Sequence, residues 1–232
     1  MHQYEKKIYS QNGEDGLIEE VFKRIGVINK FFVEFGVQNG RECNTRLLRE
    51  RGWNGISMDR DYSGKYIHKV FITVENINNI FASFRVPKEF DLLSIDVDGN
   101  DFWLWQALMN YNPKCVIIEY NSQLPPNEIL TIPYRSDFKW NKMPARDDFF
   151  GASLGAMIEL GKKKGYSYIC VNEVINHKYV NAFFVKSEYI CKFDKIDIPM
   201  VTYDRYYHDE NKYKRLIDPF KLQDIGAAKI IK

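Results

Sequence analysis

Apolar and polar positions along this chain fall into two alternating kinds of run. Leu17, Ile18, Val21, Phe22 and Ile25 recur at helical spacing, so residues 14 to 26 are predicted to form an amphipathic helix. Phe31 to Phe35 follows as a first strand. Asn44 is placed to cap a helix whose inner face includes Leu47 and Leu48 and which Gly52 ends. Residues 54 to 58 read as the second strand and Val70 to Val74 as the third. Asn76 then caps a short helix carrying Ile77, Ile80, Phe81 and Phe84. Phe90 to Ile95 is the fourth strand, residues 101 to 109 a helix with Trp103 and Trp105, and Val116 to Tyr120 the fifth strand. These strand segments lack period-two alternation. That marks burial on both faces and predicts an α/β protein, a parallel sheet covered by helices.

The pattern changes after Asn121. Residues 121 to 147 hold Pro125, Pro126, Pro133 and Pro144 with little periodicity. A loop of that length in a compact domain is usually functional, often a lid or substrate loop. A helix with Leu154, Met157, Ile158 and Leu160 is expected to end at Gly161 or Gly165, and Tyr166 to Val171 and Ala182 to Val185 read as a strand pair. The expected organisation is one domain: residues 1 to 187, and an extension from 188 to 232 that walls the substrate site or contacts a second copy.

Composition narrows the function. The chain has 232 residues, 45% hydrophobic and 28% charged, with a net charge of +2. A balance that weak argues against nucleic acid and anionic membrane as partners. Cys43, Cys115, Cys170 and Cys191 show no CxxC or Cys-His spacing, so a structural zinc site is not expected. Cys115 and Cys170 sit at the ends of apolar runs and suit small buried residues of a reduced, cytoplasmic protein. The polar start from Met1 to Lys7 carries no signal-peptide pattern, and no apolar stretch approaches the ~20 residues of a membrane span.

The candidate chemistry lies at the strand ends. The first strand runs into Glu34-Phe35-Gly36-Val37-Gln38-Asn39-Gly40, an acid followed by a glycine-marked loop. Glu34 can pair with an ammonium or organise loop amides, while Gly36 and Gly40 permit close backbone approach to a ligand. Gln38 stands where a dinucleotide fingerprint has its middle glycine, which favours an adenosyl ligand without phosphates over NAD. The second strand ends in Asp59, a carboxylate able to accept hydrogen bonds from vicinal ribose hydroxyls. The fourth ends in Asp96-Val97-Asp98-Gly99-Asn100-Asp101; if the strand continues, Asp96 and Asp98 point the same way. These acids with Glu119, at the end of the fifth strand, have the chemistry to hold a divalent cation, but the sequence carries no metal signature and none is assigned. Glu119 and Asn121 are expected beside that cluster, and His177 is a candidate general base in a loop. Near the start, Tyr9 to Gly16 is a run of amides and acids denser than helix capping requires.

These segments, in this order, resemble the FkbM-like branch of the class I S-adenosylmethionine-dependent methyltransferases. The matching residues are Tyr9 to Gly16, Val33 to Gly40 with Glu42-Cys43-Asn44-Thr45, Ser94 to Asp101, Ile118 to Asn121, Gly151 to Leu154, and Asn181 to Phe184. The resemblance implies a Rossmann-like class I methyltransferase fold, a mostly parallel seven-stranded sheet with its last strand antiparallel and helices on both faces. It implies S-adenosylmethionine lying over Glu34, Gly36 and Gly40, with its ribose on Asp59 and its adenine flanked by Glu75 and Asn76. Gln11 would approach the methionine portion or the substrate, and Asp96 counts with the cofactor residues as well. Asp98 or Asp96 would orient the acceptor, with Glu119 or His177 as reserve base. One departure stands out: the fourth-strand motif commonly reads Asp-Val-Glu-Gly in the family, and here it is Asp96-Val97-Asp98-Gly99, with a shorter acid.

The implied activity is O-methylation of a hydroxyl on a sugar, sugar nucleotide or glycan precursor, as in cell-surface polysaccharide biosynthesis. The alternatives are a phosphoryl or phosphoramidate oxygen as acceptor, held by Arg41, Arg46 or Arg135, and a non-catalytic adenosyl-binding protein. Tyr203, Tyr206, Tyr207 and Tyr213 suit a sugar-binding wall or a homo-oligomer contact.

Overall fold

The computed structural model describes residues 1–138, 149–172, 180–194, 196, 198 and 213–221. A helix α1 (Glu14–Ile25) leads into β1 (Phe31–Phe35). Then come α2 (Arg46–Glu50), β2 (Asn54–Asp59), β3 (Ile67–Lys69), α3 (Ile77–Ser83), β4 (Glu89–Ile95), α4 (Asp101–Ala107) and β5 (Asn112–Tyr120). The chain continues with α5 (Leu154–Lys163), β6 (Tyr166–Val171) and β7 (Val180–Lys186). The seven strands form one sheet in the order β3-β2-β1-β4-β5-β7-β6. The first five are mutually parallel, and β7 runs antiparallel to both β5 and β6. That order, with that single reversed strand, is the Rossmann-like class I methyltransferase fold.

The continuous apolar strands are explained by which face each residue serves. Val33, Leu93, Val116, Ile118 and Phe184 pack with Phe81, Trp105 and Met157 of α3, α4 and α5. Their immediate neighbours Phe32, Leu92, Cys115, Ile117 and Phe183 pack with Leu17, Val21 and Leu48 of α1 and α2 on the opposite face. Successive side chains on a strand point to opposite faces, so a sheet covered twice needs apolar residues at every position. At the carboxyl ends of the strands the face toward α1 changes character. The next residues on it are Glu34 after Phe32, Asp96 two beyond Ser94, Glu119 after Ile117, and Asn181 before Phe183.

Two local expectations need correction. The third strand is Ile67–Lys69 rather than Val70 to Val74. Val70, Ile72 and Val74 instead lie partly buried against the core beyond the strand's end. The N-cap of α2 is Thr45, not Asn44, and its side chain makes no cap bond. His177, Pro144, Tyr203, Tyr206 and Tyr207 lie outside the described residues. Among the described residues, no helix is long and apolar enough to cross a membrane.

Candidate active site

A cavity of about 510 Å³ opens at the carboxyl ends of β1, β2 and β4. In an open α/β sheet, ligands bind at this edge, beside the point where strand order reverses; here that point lies between β1 and β4. Phe35 and Gly36 supply one wall, Met58 and Asp59 a second, and Asp96, Val97 and Asp98 a third. Val70, Phe71 and Ile72 add an apolar shelf, and Arg60, Asn100, Leu104 and Phe138 close the rim.

Gly36 is required by geometry. Its φ is +84°, and a Cβ there would lie 1.4 Å from the carbonyl oxygen of Asp96. The amide of Gly36 also donates to the Met58 carbonyl at 3.0 Å, which carries the β1 to β2 pairing past the end of the strand. Backbone therefore forms the cavity floor. Gly99 (φ +148°) serves the rim in the same way: a Cβ there would meet Phe138 Cε1 at 2.4 Å.

Asp59 is buried at the end of β2. Its Oδ2 accepts from the Gln38 amide at 2.7 Å, and its Oδ1 from the amides of Asp61 and Tyr62 at 2.8 and 3.0 Å. The carboxylate thus ties the loop after β1 to the loop after β2 and keeps unused lone pairs on the cavity wall. Gln38 itself is in the left-handed region (φ 49°), which turns its N–H inward.

Glu34 takes the loop-organising role. It accepts from the amides of Asn44 (2.7 Å) and Thr45 (3.1 Å) and from Thr45 Oγ1 (2.5 Å). Burial pushes its carboxyl up, opposed by those hydrogen bonds. The side chain of Asn44 crosses to Ser94 Oγ at 3.1 Å. Glu34 fixes the loop that shapes the site and is not part of the cavity wall. Gly40 lies against the Ile67 side chain rather than the cavity. Asn76 is not on the wall either: its Oδ1 accepts from the Thr73 amide at 2.7 Å and its Nδ2 donates to the Phe71 carbonyl at 2.9 Å. Because β3 ends three residues before Ile72, it is Val70 to Ile72 that line the cavity, not Glu75 and Asn76. Gln11 is exposed in the N-terminal loop, outside the cavity wall.

The acids after β4 separate. The strand ends at Ile95, and Asp98 (φ 59°) turns the chain, so Asp96 and Asp98 do not extend one strand face. Asp98 shares the cavity wall with Asp59; burial first, then that like charge, raises its carboxyl. Asp96 instead meets Asp101 and Glu119, with a carboxylate oxygen of each within 4.8 Å of the others. Burial, and then the neighbouring Asp101, Asp98, Glu34 and Glu14, hold Asp96 well above the usual carboxylate range. Glu119 is raised by burial first, then by the charges of Asp96, Asp101 and Asp98 and by a side-chain hydrogen bond with Asp96. Asp101 accepts from the amides of Val97 (2.8 Å) and Gly99 (2.9 Å), yet burial outweighs these bonds and pushes it up to about 6.

The polar run at the start of the chain is built into the same edge. Asp15 Oδ2 accepts from the amides of Ile8, Tyr9 and Ser10 at 2.6 to 2.8 Å. Fully buried Glu14 accepts from the Asn12 amide and from the side-chain amides of Asn172 (3.1 Å) and Asn181 (2.9 Å). This ties α1 to β6 and β7. Asn121, also buried, donates to the Phe150 carbonyl and accepts from the Gln123 amide. Of the arginines expected at an anionic acceptor, Arg135 is occupied by Asp137 at 3.0 Å, and Arg46 lies over the Tyr9 ring at 4.2 Å.

Sequence reasoning missed Arg60, Phe71, Ile72, Phe138 and Glu14. Glu14 lay inside the run whose density of acids exceeded capping needs, which was its signal. Phe138 lay inside the proline-containing loop, and nothing in its neighbourhood singled it out.

No protein-family model and no curated protein matches the sequence. Solved structures do resemble it. The magnesium protoporphyrin IX methyltransferase of Synechocystis PCC 6803, with bound SAH, is 10% identical, with a TM-score of 0.43 over 75% of this chain and 81% of that one. A SAM-dependent methyltransferase from Bacteroides fragilis, in complex with S-adenosyl-L-homocysteine, is 11% identical, with a TM-score of 0.37 over 73% and 77%. The plantazolicin methyltransferase BamL, in complex with a triazolic desmethylPZN analogue and SAH, is 11% identical, with a TM-score of 0.44 over 74% and 82%.

Proposed function

We propose that this chain is an S-adenosylmethionine-dependent O-methyltransferase of the FkbM-like kind, acting on a hydroxyl of a sugar or glycan precursor. The observation that carries the reading is the cavity at the strand ends, floored by backbone where Gly36 packs against the Asp96 carbonyl and walled by Asp59, Asp96 and Asp98. A volume of about 510 Å³ suits a nucleoside-sized ligand. The residues present fit an adenosyl group. Asp59 has lone pairs for ribose hydroxyls, and Ile72, Val97 and Leu104 offer apolar surface to a purine.

Bound S-adenosylmethionine supplies an activated sulfonium methyl for in-line displacement by a nucleophilic oxygen. The chain's own task is to align that oxygen and accept its proton. Asp98 and Asp96 stand on the wall for this role, Asp98 as the base and Asp96 as the orienting group. The elevated carboxyl of Asp98 brings its proton affinity closer to that of an alcohol in the transition state. Glu119 stands behind Asp96, and His177 is the further base candidate. Polysaccharide biosynthesis in the cytoplasm is the setting this chemistry suits.

Calorimetric titration of the purified chain with S-adenosylmethionine, S-adenosylhomocysteine and NAD tests the reading. Saturable binding of the two adenosyl ligands in preference to NAD is expected. Absence of adenosyl binding by folded protein overturns it.

A further inference from the structure

We propose that Asp96, Asp101 and Glu119 form a binding site for one hard divalent cation of the Mg²⁺ or Mn²⁺ kind, beside the adenosyl cavity. The three carboxylates each place an oxygen within 4.8 Å of the other two. Ligands on opposite sides of such an ion are separated by about twice its 2.0–2.1 Å bond length, roughly 4.2 Å, so oxygens within 4.8 Å of one another need close by only about half an ångström to share one coordination sphere. Only oxygen ligands are offered, which selects hard cations over zinc or copper.

The acids alone do not make the site; the unpartnered acceptors around them point to a missing positive group. Glu119 is 7% exposed, and among the described residues its Oε2 has no hydrogen-bond partner. Asn181 is 8% exposed and sits directly opposite Glu119 across the β5–β7 pair. Opposed residues of an antiparallel pair send their side chains to the same face, with Cβ atoms about 5 Å apart. The Asn181 Nδ2 is spent on Glu14, and its Oδ1 has no partner either. Two buried acceptor oxygens on this face, Glu119 Oε2 and Asn181 Oδ1, therefore have no donor, while Glu119 also shares a hydrogen bond with Asp96. Among the described residues, no lysine or arginine pairs with any of the three acids. Buried acceptors left unpaired are destabilising, and a cation satisfies them together.

Asp101 is pre-oriented for such a site. The amides of Val97 and Gly99 bind its two oxygens from one side and leave further lone pairs for the ion. Asp96 is the member on the cavity wall, so the ion's open positions would face an acceptor oxygen. That role for the ion, lowering the proton affinity of a bound hydroxyl while Asp98 takes the proton, rests on the methyltransferase reading. The binding itself does not.

The test is a titration of MnCl₂ into EDTA-treated full-length protein, following free Mn²⁺ by its electron paramagnetic resonance signal. Wild type is expected to take up one Mn²⁺ per chain. Glu119→Gln and Asp96→Asn are each expected to weaken uptake about tenfold or more. Both variants remove a like charge from an acid cluster, so metal-free protein should keep or raise its thermal midpoint. Added Mn²⁺ should raise the midpoint of wild type alone. No saturable uptake by wild type, or uptake unchanged in both variants, overturns the site. S-adenosylhomocysteine titrated in EDTA separates the two proposals: adenosyl binding without Mn²⁺ uptake removes the metal and leaves the methyltransferase reading intact.

Discussion

The backbone of Gly36 runs against the carbonyl of Asp96 so closely that a Cβ on residue 36 would sit 1.4 Å from that oxygen. The contact joins the ends of β1 and β4 and floors the cavity. Gly36→Ala must move one of two backbone segments as well as hold alanine at φ +84°. The expected loss is about 4 kcal/mol or more, at the extreme of single substitutions. Urea denaturation followed by circular dichroism measures it. A loss under about 1 kcal/mol would show that the two loops yield easily and that the cavity is not rigidly floored.

Asp59 holds three amides on two oxygens, so Asp59→Asn puts an NH₂ against an N–H in either orientation. A stability cost of about 1–3 kcal/mol is expected. If the same carboxylate meets a ribose, S-adenosylhomocysteine affinity should fall about tenfold or more as well. Calorimetry on the folded variant reads the second effect. Stability lost with affinity retained would confine Asp59 to tying the loops together.

Thr45 supplies two hydrogen bonds to the buried carboxylate of Glu34, one from its amide and one from its hydroxyl, beside the one from the Asn44 amide. Thr45→Val keeps the shape and deletes the hydroxyl. A bond to a charged group contributes about 1.5–3 kcal/mol, and that is the expected loss of unfolding free energy. Because Glu34 acts on the loop and not on the cavity wall, the variant's adenosyl affinity should change less than that of Asp59→Asn. A larger affinity loss in Thr45→Val would mean that loop order, more than direct contact, controls binding.

The legibility of this fold follows from where its determinants lie. β1, β2, β4 and β5 could be read because burial on two faces writes continuous apolar runs. β3 could not: Ile67, His68 and Lys69 form a short edge strand, mostly exposed, with no apolar signature. The run Val70 to Val74 imitated a strand because it packs on the core and lines the cavity as extended chain. Asn44 looked like a cap because its residue type is the usual one. Its side chain crosses instead to Ser94, and Glu34, ten and eleven residues earlier, takes the amides of Asn44 and Thr45. The acids at the strand ends were legible as a set, since topology gathers strand ends on one edge. Their division into Asp98 beside Asp59, and Asp96 with Asp101 and Glu119, depends on the left-handed turn at Asp98, which no residue pattern announces. The bonds from Glu14 to Asn172 and Asn181 span more than 150 residues and were invisible for that reason.

Lys164, far from the cavity, offers a prediction with a definite sign. Its ammonium donates to the Leu108 carbonyl at 2.8 Å, and burial lowers its pKa from 10.5 to about 8. Below pH 8 both folded and unfolded chains hold the proton, and the folded state bears the full cost of the buried charge. Between pH 8 and 10.5 the unfolded chain holds more proton than the folded one, so stability rises with pH across that window. The side chain is half-buried, and solvent screening reduces the gain to about 1–2 kcal/mol. Lys164→Met abolishes this contribution and leaves every other alkaline titration in place. The wild-type minus variant difference in unfolding free energy should therefore climb by that amount from pH 7.5 to pH 10, measured by urea denaturation at each pH. A flat difference would mean that the ammonium stays well hydrated and that its contact with Leu108 is not a buried one.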